Sequence, residues 1–199
     1  MSYSRKTQLT QRLLKEALIK LLQHKNFEEV TINEIAEEAY VTRSTFYRYY
    51  EDKYELLSDI EDEILNYIKT QREFDVSQFD EMNIFKTKSI VNLFKSLDPY
   101  SDVLKVLLTN PGIISFRMKI RKVVSHRLDF LNQIGSGSKV RIDLGKEYLV
   151  AIIINTFEYW SLHKDDVDER EIAQLITEVH HKGIVHALGI NIDDIRKLT

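Results

Sequence analysis

The sequence predicts an all-α protein with a small N-terminal helical domain and a larger helical body. Three observations lead to this prediction. Apolar residues recur at helical spacing along most of the 199 residues. Six glycines and two prolines are few for a chain of this length. No stretch shows the alternation and flanking turn residues of a strand. We place the domain boundary after residue 53, giving domains 1–53 and 54–199, with a connecting helix that begins near residue 52.

The composition excludes several classes of protein. The chain has no cysteine, which rules out disulfide frameworks, zinc-thiolate sites and cysteine nucleophiles. Its start, MSYSRKTQL, lacks the apolar core of a signal peptide. The longest apolar run, residues 149–154, is far shorter than the ~20 residues that span a membrane. We therefore expect a soluble, cytoplasmic protein that makes no membrane contact.

Residues 31–53, TINEIAEEAYVTRSTFYRYYEDK, contain two short amphipathic segments separated by three residues. Thr31 and Glu34 have the spacing of a capping box at the start of the first segment. Thr42 is a good N-cap for the second. Two helices joined by so short a turn have the geometry of a helix-turn-helix. The residues expected to face the core are Ile32, Ile35, Ala36, Ala39, Val41, Phe46 and Tyr50.

The outward face of the second segment suits a DNA groove. Duplex DNA presents phosphates along both groove walls and hydrogen-bonding groups on its floor, so a reading helix needs cations and hydroxyls outward. A solvated helical hairpin with a polar face explains the same residues about as well. The outward residues include no acid: Thr42, Arg43, Ser44, Tyr47 and Arg48.

The run IAEEAYVTRSTFYRYYEDKYELL resembles the N-terminal signature of the TetR family of bacterial transcription regulators. Thr42 stands for the usual Ser, and Tyr50 for the usual Phe. Tyr40 occupies a turn position where the family usually has Gly, and a positive φ there would cost a tyrosine about 1 kcal/mol or more. The matching positions are Ile35, Ala36, Ala39, Val41, Thr45, Phe46, Tyr47, Tyr49, Lys53, Leu56 and Leu57.

This resemblance implies a three-helix DNA-binding domain that reads a palindromic double-stranded operator as a homodimer. It also implies a repressor that a small-molecule effector releases from DNA. Arg43 and Ser44 are the candidates for base-edge contacts, and Arg48 could contact bases or phosphates. The candidates for phosphate contacts are Thr31, Thr42, Thr45, Tyr47, Tyr49 and Lys53.

The distribution of charge bears on the same question, because the net charge is −3. Residues 1–25 contain six basic residues and one acidic residue, and residues 40–50 contain two arginines and no acid. We therefore expect a positive N-terminal end on an otherwise acidic protein, which suits contact with DNA through one end. Chance clustering of a few lysines is the alternative.

The remaining helices of the N-terminal half follow from apolar spacing. A first helix is expected over residues 7–24 and a fourth from about residue 52, with Leu56, Leu57 and Ile60 inward. We expect residues 69–83 to form a mobile connection. The acidic outer face of the fourth helix is expected to be solvated surface: Asp59, Glu61, Asp62 and Glu63.

The body is expected to contain three further helices and then two long ones. The first three end near residue 98, near residue 110 and near residue 131, before a turn at 135–138. The helix over 140–164 is apolar nearly all round, and the helix over 169–188 has an apolar stripe with Gly183 and Ala187 for close packing. Such surface needs cover on every side. The resemblance implies dimerisation through these two helices, and an internal core is the alternative.

Two sets of candidate site residues remain. The resemblance implies an effector cavity in the body, although aromatic residues at helical spacing are more often plain core. No cofactor or metal site is expected, since Glu178 and His181 form a lone Glu-x-x-His pair and no phosphate loop or nucleophile motif occurs. We therefore expect no enzymatic activity. The candidate cavity residues are Phe94, Phe116, Phe130, Tyr148, Phe157 and Trp160.

A rival interpretation keeps the fold and changes the partner. A TetR-like chain could act as a co-regulator or activator that binds another protein. Tyr40 and the acidic residues Glu34, Glu37 and Glu38 leave this open. Specific operator binding predicts a steep dependence on salt, whereas a protein partner predicts weak, salt-insensitive DNA association.

Overall fold

The computed structural model describes residues 2–70, 87–134 and 137–183. Within these residues the chain forms ten α-helices and no strand, which confirms the all-α prediction. Single 3₁₀ turns occur at Phe27–Glu29 and Asp98–Tyr100. The helices are α1 (Ser2–Leu22), α2 (Ile32–Glu38), α3 (Arg43–Phe46), α4 (Lys53–Thr70), α5 (Thr87–Leu97), α6 (Ser101–Thr109), α7 (Ser115–Arg127), α8 (Leu131–Ile134), α9 (Lys139–Leu162) and α10 (Glu169–Lys182).

Backbone contacts divide the chain into two compact units. The first contains residues 1–67 and 102–122, and the second contains residues 68–101 and 123–199. The division therefore falls within α4, at the start of α6 and within α7, and it differs from the boundary that we placed after residue 53. The assignment of 54–199 as a regulatory and dimerisation domain stays a prediction. None of the described helices is long and apolar enough to cross a membrane.

The core of the first unit is formed by the apolar stripes that the sequence predicts. Leu14 and Leu18 of α1, Ile35 of α2, Phe46 of α3 and Leu56 of α4 are all fully buried. Burial of such side chains contributes roughly 1.5–3 kcal/mol each. These residues bring α1, α2 and α3 together as a three-helix module, with α1 packing on α2 and α2 on α3.

The turn between α6 and α7 completes this unit at the end of α1. The side chain of Asn110 donates to the carbonyls of Leu22 and Lys25 at 3.2 and 2.8 Å, and it accepts from the amide of Phe27 at 3.2 Å. A Cβ at Gly112 would lie 2.3 Å from the side-chain oxygen of Asn26, so the turn needs glycine there. The helix stop expected near residue 110 is confirmed. The side chain of Asn110 also caps the C-terminal end of α1 through the carbonyl of Leu22.

The expectation that the acidic outer face of α4 is solvated needs one correction. Glu61 is 1% exposed rather than solvated. Its carboxylate pairs with Lys119 of α7 at 2.9 Å and accepts from the hydroxyl of Ser115. Asp62 binds the same ammonium at 2.8 Å. The apolar spacing of α4 could not reveal this, because the partners lie more than fifty residues away in sequence.

The second unit is organised around α5, α9 and α10. Phe94 of α5 packs against Phe157 and Trp160 of α9, with ring centroids 5.4 and 5.3 Å apart. α5 also packs along α10, where the hydroxyls of Thr87 and Thr177 are 3.1 Å apart. These aromatic rings form a packed interior for the unit.

Several predicted boundaries in the body need correction. The helix expected to reach residue 131 ends at Arg127 and is followed by the short α8. α10 ends at Lys182, because Gly183 adopts a φ of 84° and caps the helix through its amide. Gly183 thus ends the helix and does not contribute to its apolar stripe. Ala187, residues 71–83 of the expected connection and residues 135–136 of the expected turn lie outside the described residues.

Candidate nucleic-acid interface

The capping box predicted for α2 is present. The hydroxyl of Thr31 accepts from the amide of Glu34 at 3.3 Å, and the Glu34 carboxylate accepts from the amide of Thr31 at 2.9 Å. Lys25 also pairs with this carboxylate. The Lys25 ammonium, together with the hydrogen bonds from Thr31, lowers the pKa of Glu34 to about 2. The hydroxyl and amide of Thr31, a predicted phosphate contact, are thus engaged within the protein.

The turn after α2 has the hydrogen bonds of a Schellman motif. The amide of Tyr40 donates to the carbonyl of Glu37 at 3.0 Å, and that of Val41 donates to the carbonyl of Ala36 at 2.9 Å. Tyr40 has a φ of 55°, and it is the one non-glycine residue with a positive φ in the described ranges. The positive φ considered in the sequence analysis is therefore present.

Thr42 begins the second helix of the pair, as the sequence predicts. Its hydroxyl accepts from the amide of Thr45 at 3.2 Å. The α-helical part of the segment is Arg43–Phe46, which is shorter than the predicted span to Tyr50. The chain continues as a turn, with the amide of Tyr49 donating to the carbonyl of Phe46 at 2.9 Å.

Two aromatic side chains anchor this helix from below. Phe46 is 0% exposed and Tyr50 is 4% exposed, which confirms that both face the core. The phenol of Tyr50 donates to Asp59 of α4 at 2.8 Å. Burial and then the Asp59 carboxylate raise the pKa of Tyr50, so the phenol remains a neutral donor.

The outward side chains form an exposed polar surface on α3. A guanidinium nitrogen of Arg43 donates to the phenol of Tyr47 at 3.2 Å, and the guanidinium carbon lies 5.5 Å from the ring centroid. This contact holds the guanidinium along the helix surface. The hydroxyl of Thr42 is 2.9 Å from that of Ser44 and 2.9 Å from that of Thr45. The exposed members of the predicted set are Thr31, Thr42, Arg43, Ser44, Tyr47 and Arg48, while Thr45, Tyr49 and Lys53 are half-buried.

Lys53 differs most from its predicted role. Its ammonium donates to the carbonyls of Phe27, Glu28 and Val30 at 2.9, 3.0 and 3.0 Å. It also lies 4.8 Å from the ring centroid of Phe27. An ammonium has three N–H donors, so a phosphate could bind Lys53 only by replacing one of these carbonyls. Lys53 holds the start of α4 against the 3₁₀ turn before α2.

Among the six basic residues within residues 1–25, Lys15, Lys20 and Lys25 have their charge compensated by acids of the protein. Lys15 pairs with Asp59 at 2.9 Å and with Glu63 at 2.8 Å. Lys20 pairs with Glu38, and Lys25 with Glu34. The expected positive end is therefore weaker than the sequence count suggests.

The candidate cavity residues belong to both compact units. Phe94 contacts both Phe157 and Trp160 in the second unit, whereas Phe116 is fully buried in the first. Tyr148 is 61% exposed and lines an open groove of about 380 Å³ on α9 and α10. Phe130 is half-buried in the short segment between α7 and α8. The other lining residues of that groove are Leu131, Arg141, Ile142, Gly145, Lys146, Leu149, Ile152, Val179 and His180.

Comparison with known proteins identifies the N-terminal part of the chain. Residues 14–60 match the family described as "Bacterial regulatory proteins, tetR family". This range contains α2, the turn at Tyr40, α3 and the start of α4. This part of the chain is therefore similar to TetR-family regulators. A 47-residue stretch is also 45% identical to an uncharacterised HTH-type transcriptional regulator, YxbF, of Bacillus subtilis (strain 168). That match covers 24% of this chain and 12% of the relative's length.

Two solved structures share the fold over most of the chain. A TetR transcriptional regulator from Streptococcus agalactiae 2603V has a TM-score of 0.63 at 21% identity, covering 90% of this chain and 97% of its own. A TetR-family regulator from Syntrophomonas wolfei str. Goettingen has a TM-score of 0.63 at 16% identity, covering 92% and 97%. The TetR-like fold thus extends from the N-terminal domain into the helical body.

Proposed function

We propose that this TetR-family chain is a sequence-specific DNA-binding transcription regulator, and that it acts as a repressor. The observation that carries the proposal is the arrangement of side chains on α3 and the turn after it. Phe46 is fully buried, whereas Arg43 and Ser44 of the same helix, and Arg48 just after it, are exposed. A helix anchored in this way can enter a major groove with donors directed at base edges.

We assign the proposed contacts from the positions of these side chains. Arg43 at the first turn of α3 is assigned to a base edge, with Ser44 beside it, and Arg48 to either a base or a phosphate. The remaining assigned residues contact phosphates, which fix the register of the helix without reading sequence. They are Thr31, Thr42, Thr45, Tyr47, Tyr49 and Lys53, and Lys53 is the weakest of these assignments because its donors are already used.

We infer a homodimer from apolar residues left exposed on the last two described helices. Leu144 of α9 is 47% exposed and Leu175 of α10 is 42% exposed. Exposed apolar side chains grouped on one pair of helices are typical of an interface. A two-fold axis through them would present two copies of α3 to a palindromic operator. Further apolar residues exposed on α9 are Val140, Tyr148, Tyr159 and Leu162.

We also propose that a small molecule regulates DNA binding by occupying the second unit. Trp160 is 0% exposed, and its indole N–H has no hydrogen-bond partner among the described residues. A buried donor without a partner costs about 1–3 kcal/mol, and an acceptor on a ligand would remove that cost. Phe94 and Phe157 beside it supply apolar contact. Binding there would change the equilibrium between two geometries of the dimer.

The second candidate function is a co-regulator or activator that binds a partner protein. It is favoured by the acidic surface of α2, where Glu37 is exposed, and by the pairing of Lys20 and Lys25 with acids of the protein. Such a chain would bind duplex DNA weakly and with little dependence on salt.

Selection of duplexes from a random DNA pool by the purified full chain, at near-physiological salt, tests the proposal. A palindromic consensus supports a dimeric reader, and its half-site spacing measures the separation of the two α3 helices. The affinity for that consensus should fall steeply with salt, because phosphate contacts release counterions. Enrichment of no sequence would contradict the proposal and favour the partner-binding function.

A further inference from the structure

Tyr40 combines two unfavourable features at the tip of the helix-turn-helix. Its φ of 55° lies in the left-handed region, which glycine adopts readily and in which an L-residue with a Cβ is strained. Its side chain is 94% exposed, more than any of the other exposed large apolar side chains in the described ranges. The ring therefore contributes almost nothing to the core.

The turn itself does not require a tyrosine. Both hydrogen bonds of the Schellman motif use backbone atoms of residues 36–41, and glycine would form them without strain. Strain retained at an exposed position, without a packing contact in return, points to a function for the side chain outside the protein.

The position of Tyr40 indicates what it would contact. It lies two residues before Thr42, the N-cap of α3. In a helix-turn-helix on DNA, the start of the second helix enters the major groove and the preceding turn lies along the groove wall, where phosphates line the surface. A phenol donates one O–H, and tyrosine hydroxyls are among the usual partners of phosphate oxygens.

The charges near Tyr40 are of both signs, and Glu37 of α2 is an exposed acid. The acid on the last residue of α2, Glu38, is paired with Lys20. Arg43 and Arg48, on the other side of the turn, provide positive charge without an acid between residues 40 and 50.

We propose that the hydroxyl of Tyr40 donates a hydrogen bond to a phosphate of bound DNA. Tyr40 is thus a positioning residue that fixes how α3 enters the groove. This inference rests on the DNA-binding function proposed above. Because the contact is to phosphate, it strengthens binding to all sequences alike.

The test compares Tyr40→Phe and Tyr40→Gly with the wild-type full chain. The probes are a labelled duplex of the selected sequence and an unrelated duplex of equal length. Loss of a hydrogen bond to a charged acceptor should weaken binding to both duplexes by about tenfold in each variant. The slope of log affinity against log salt should not change, because a neutral phenol displaces no counterion.

Two controls accompany these measurements. Tyr100→Phe removes a phenol from the 3₁₀ turn Asp98–Tyr100, which is assigned neither to DNA nor to the dimer, and should leave DNA affinity unchanged. Tyr40→Gly should raise the melting temperature by about 2–4 °C through relief of strain, so its loss of affinity cannot come from unfolding.

If Tyr40→Phe binds both duplexes with the affinity of the wild-type chain, the inference is overturned, and the DNA-binding function stands. Loss of affinity for the selected duplex alone would also overturn it, since that result indicates a base contact. A wild-type chain that binds neither duplex would instead remove the proposed function, and this inference with it.

Discussion

The base contact proposed for Arg43 is supported by the order of its side chain. Its guanidinium is held along α3 by the phenol of Tyr47, 3.2 Å away, so it is partly ordered before DNA arrives. Pre-ordering lowers the entropy that binding must overcome. A guanidinium can contact guanine through two parallel hydrogen bonds, which an ammonium reproduces less well.

We therefore predict that Arg43→Ala relaxes sequence preference at one half-site position by about 1–3 kcal/mol. The measurement is the affinity for the consensus duplex and for duplexes altered at each half-site position. Arg43→Lys serves as the matched control, because it keeps the charge and loses the paired geometry. Equal weakening on every duplex would show that Arg43 only holds a phosphate.

Glu61 supports a second prediction at the residue scale. It is 1% exposed, and its carboxylate is compensated by Lys119 at 2.9 Å. Burial of Lys119 opposes its charge, but Asp62 and Glu61 together raise its pKa above the ordinary value. Removal of the ammonium would leave a buried carboxylate without its cation, which is among the costliest single changes in a protein.

Lys119→Met should lower the free energy of unfolding by about 3 kcal/mol, measured by urea denaturation. Glu61→Gln should cost less, since Lys119 keeps Asp62, and the double variant should cost less than the sum of the two. Lys95→Met on an exposed position of α5 is the control. If Lys119→Met lowers the free energy of unfolding no more than this control, or if the effects of the two changes are additive, the pairing of Glu61 with Lys119 does not stabilise the fold.

At the scale of elements, α2 depends on its N-terminal capping box. The Lys25 ammonium, and secondly the Thr31 hydrogen bonds, lower the pKa of Glu34 to about 2 from an ordinary 4.5. A folded-state pKa below the unfolded value means that the charged carboxylate stabilises the fold above pH 4.5. This contribution is lost as the pH falls towards 2.

Glu34→Gln should therefore melt at a lower temperature than the wild-type chain at pH 6, and the difference should vanish as the pH approaches 2. Glutamine keeps an oxygen that can accept from Thr31 but loses the charge that attracts Lys25. Parallel thermal melts between pH 6 and pH 2 measure this difference, with Glu37→Gln at an exposed position of α2 as control. A constant difference across this range would mean that the charge of Glu34 does not matter.

The elements also show what sequence could and could not predict. The caps Thr31 and Thr42 and the buried Phe46 were predictable, because each depends on residues within one or two turns. The carbonyl partners of Lys53 and the pairing of Glu61 were not, because the partners of Lys53 are 23 to 26 residues away along the chain and those of Glu61 are 54 or more. A charged residue on a helix looks solvated until the packing of other helices is known.

The early end of α10 has a different, local cause. Gly183 fits an apolar stripe by spacing, but its permissive backbone instead takes a φ of 84° and stops the helix. Glycine allows close packing and helix termination equally, and periodicity cannot separate the two uses. The candidate cavity residues shared only aromatic character in the sequence, and spacing alone could not tell which of them touch one another.

At the scale of the whole molecule, the paired lysines near the N-terminus and the exposed apolar residues on α9 and α10 lead to one expectation. Lys15, Lys20 and Lys25 are compensated by acids within the protein, so the proposed attraction to DNA rests mainly on α3. A single short helix reads few base pairs and binds weakly. Two copies on one operator add their contacts, so specific binding by this chain should require the dimer.

Leu175→Glu on α10 should therefore separate the dimer and, with it, abolish tight operator binding. Leu175 is 42% exposed in the single chain, and a carboxylate buried there between two subunits would lack a partner. We expect the dissociation constant of the dimer to rise about 100-fold or more, measured by sedimentation velocity over a dilution series. Leu9→Glu makes the same change at a leucine of α1 that is 48% exposed, and it should leave the dimer intact. If Leu175→Glu stays dimeric at the concentrations where the wild-type chain does, the interface lies elsewhere, and α9 and α10 need another explanation for their exposed apolar residues.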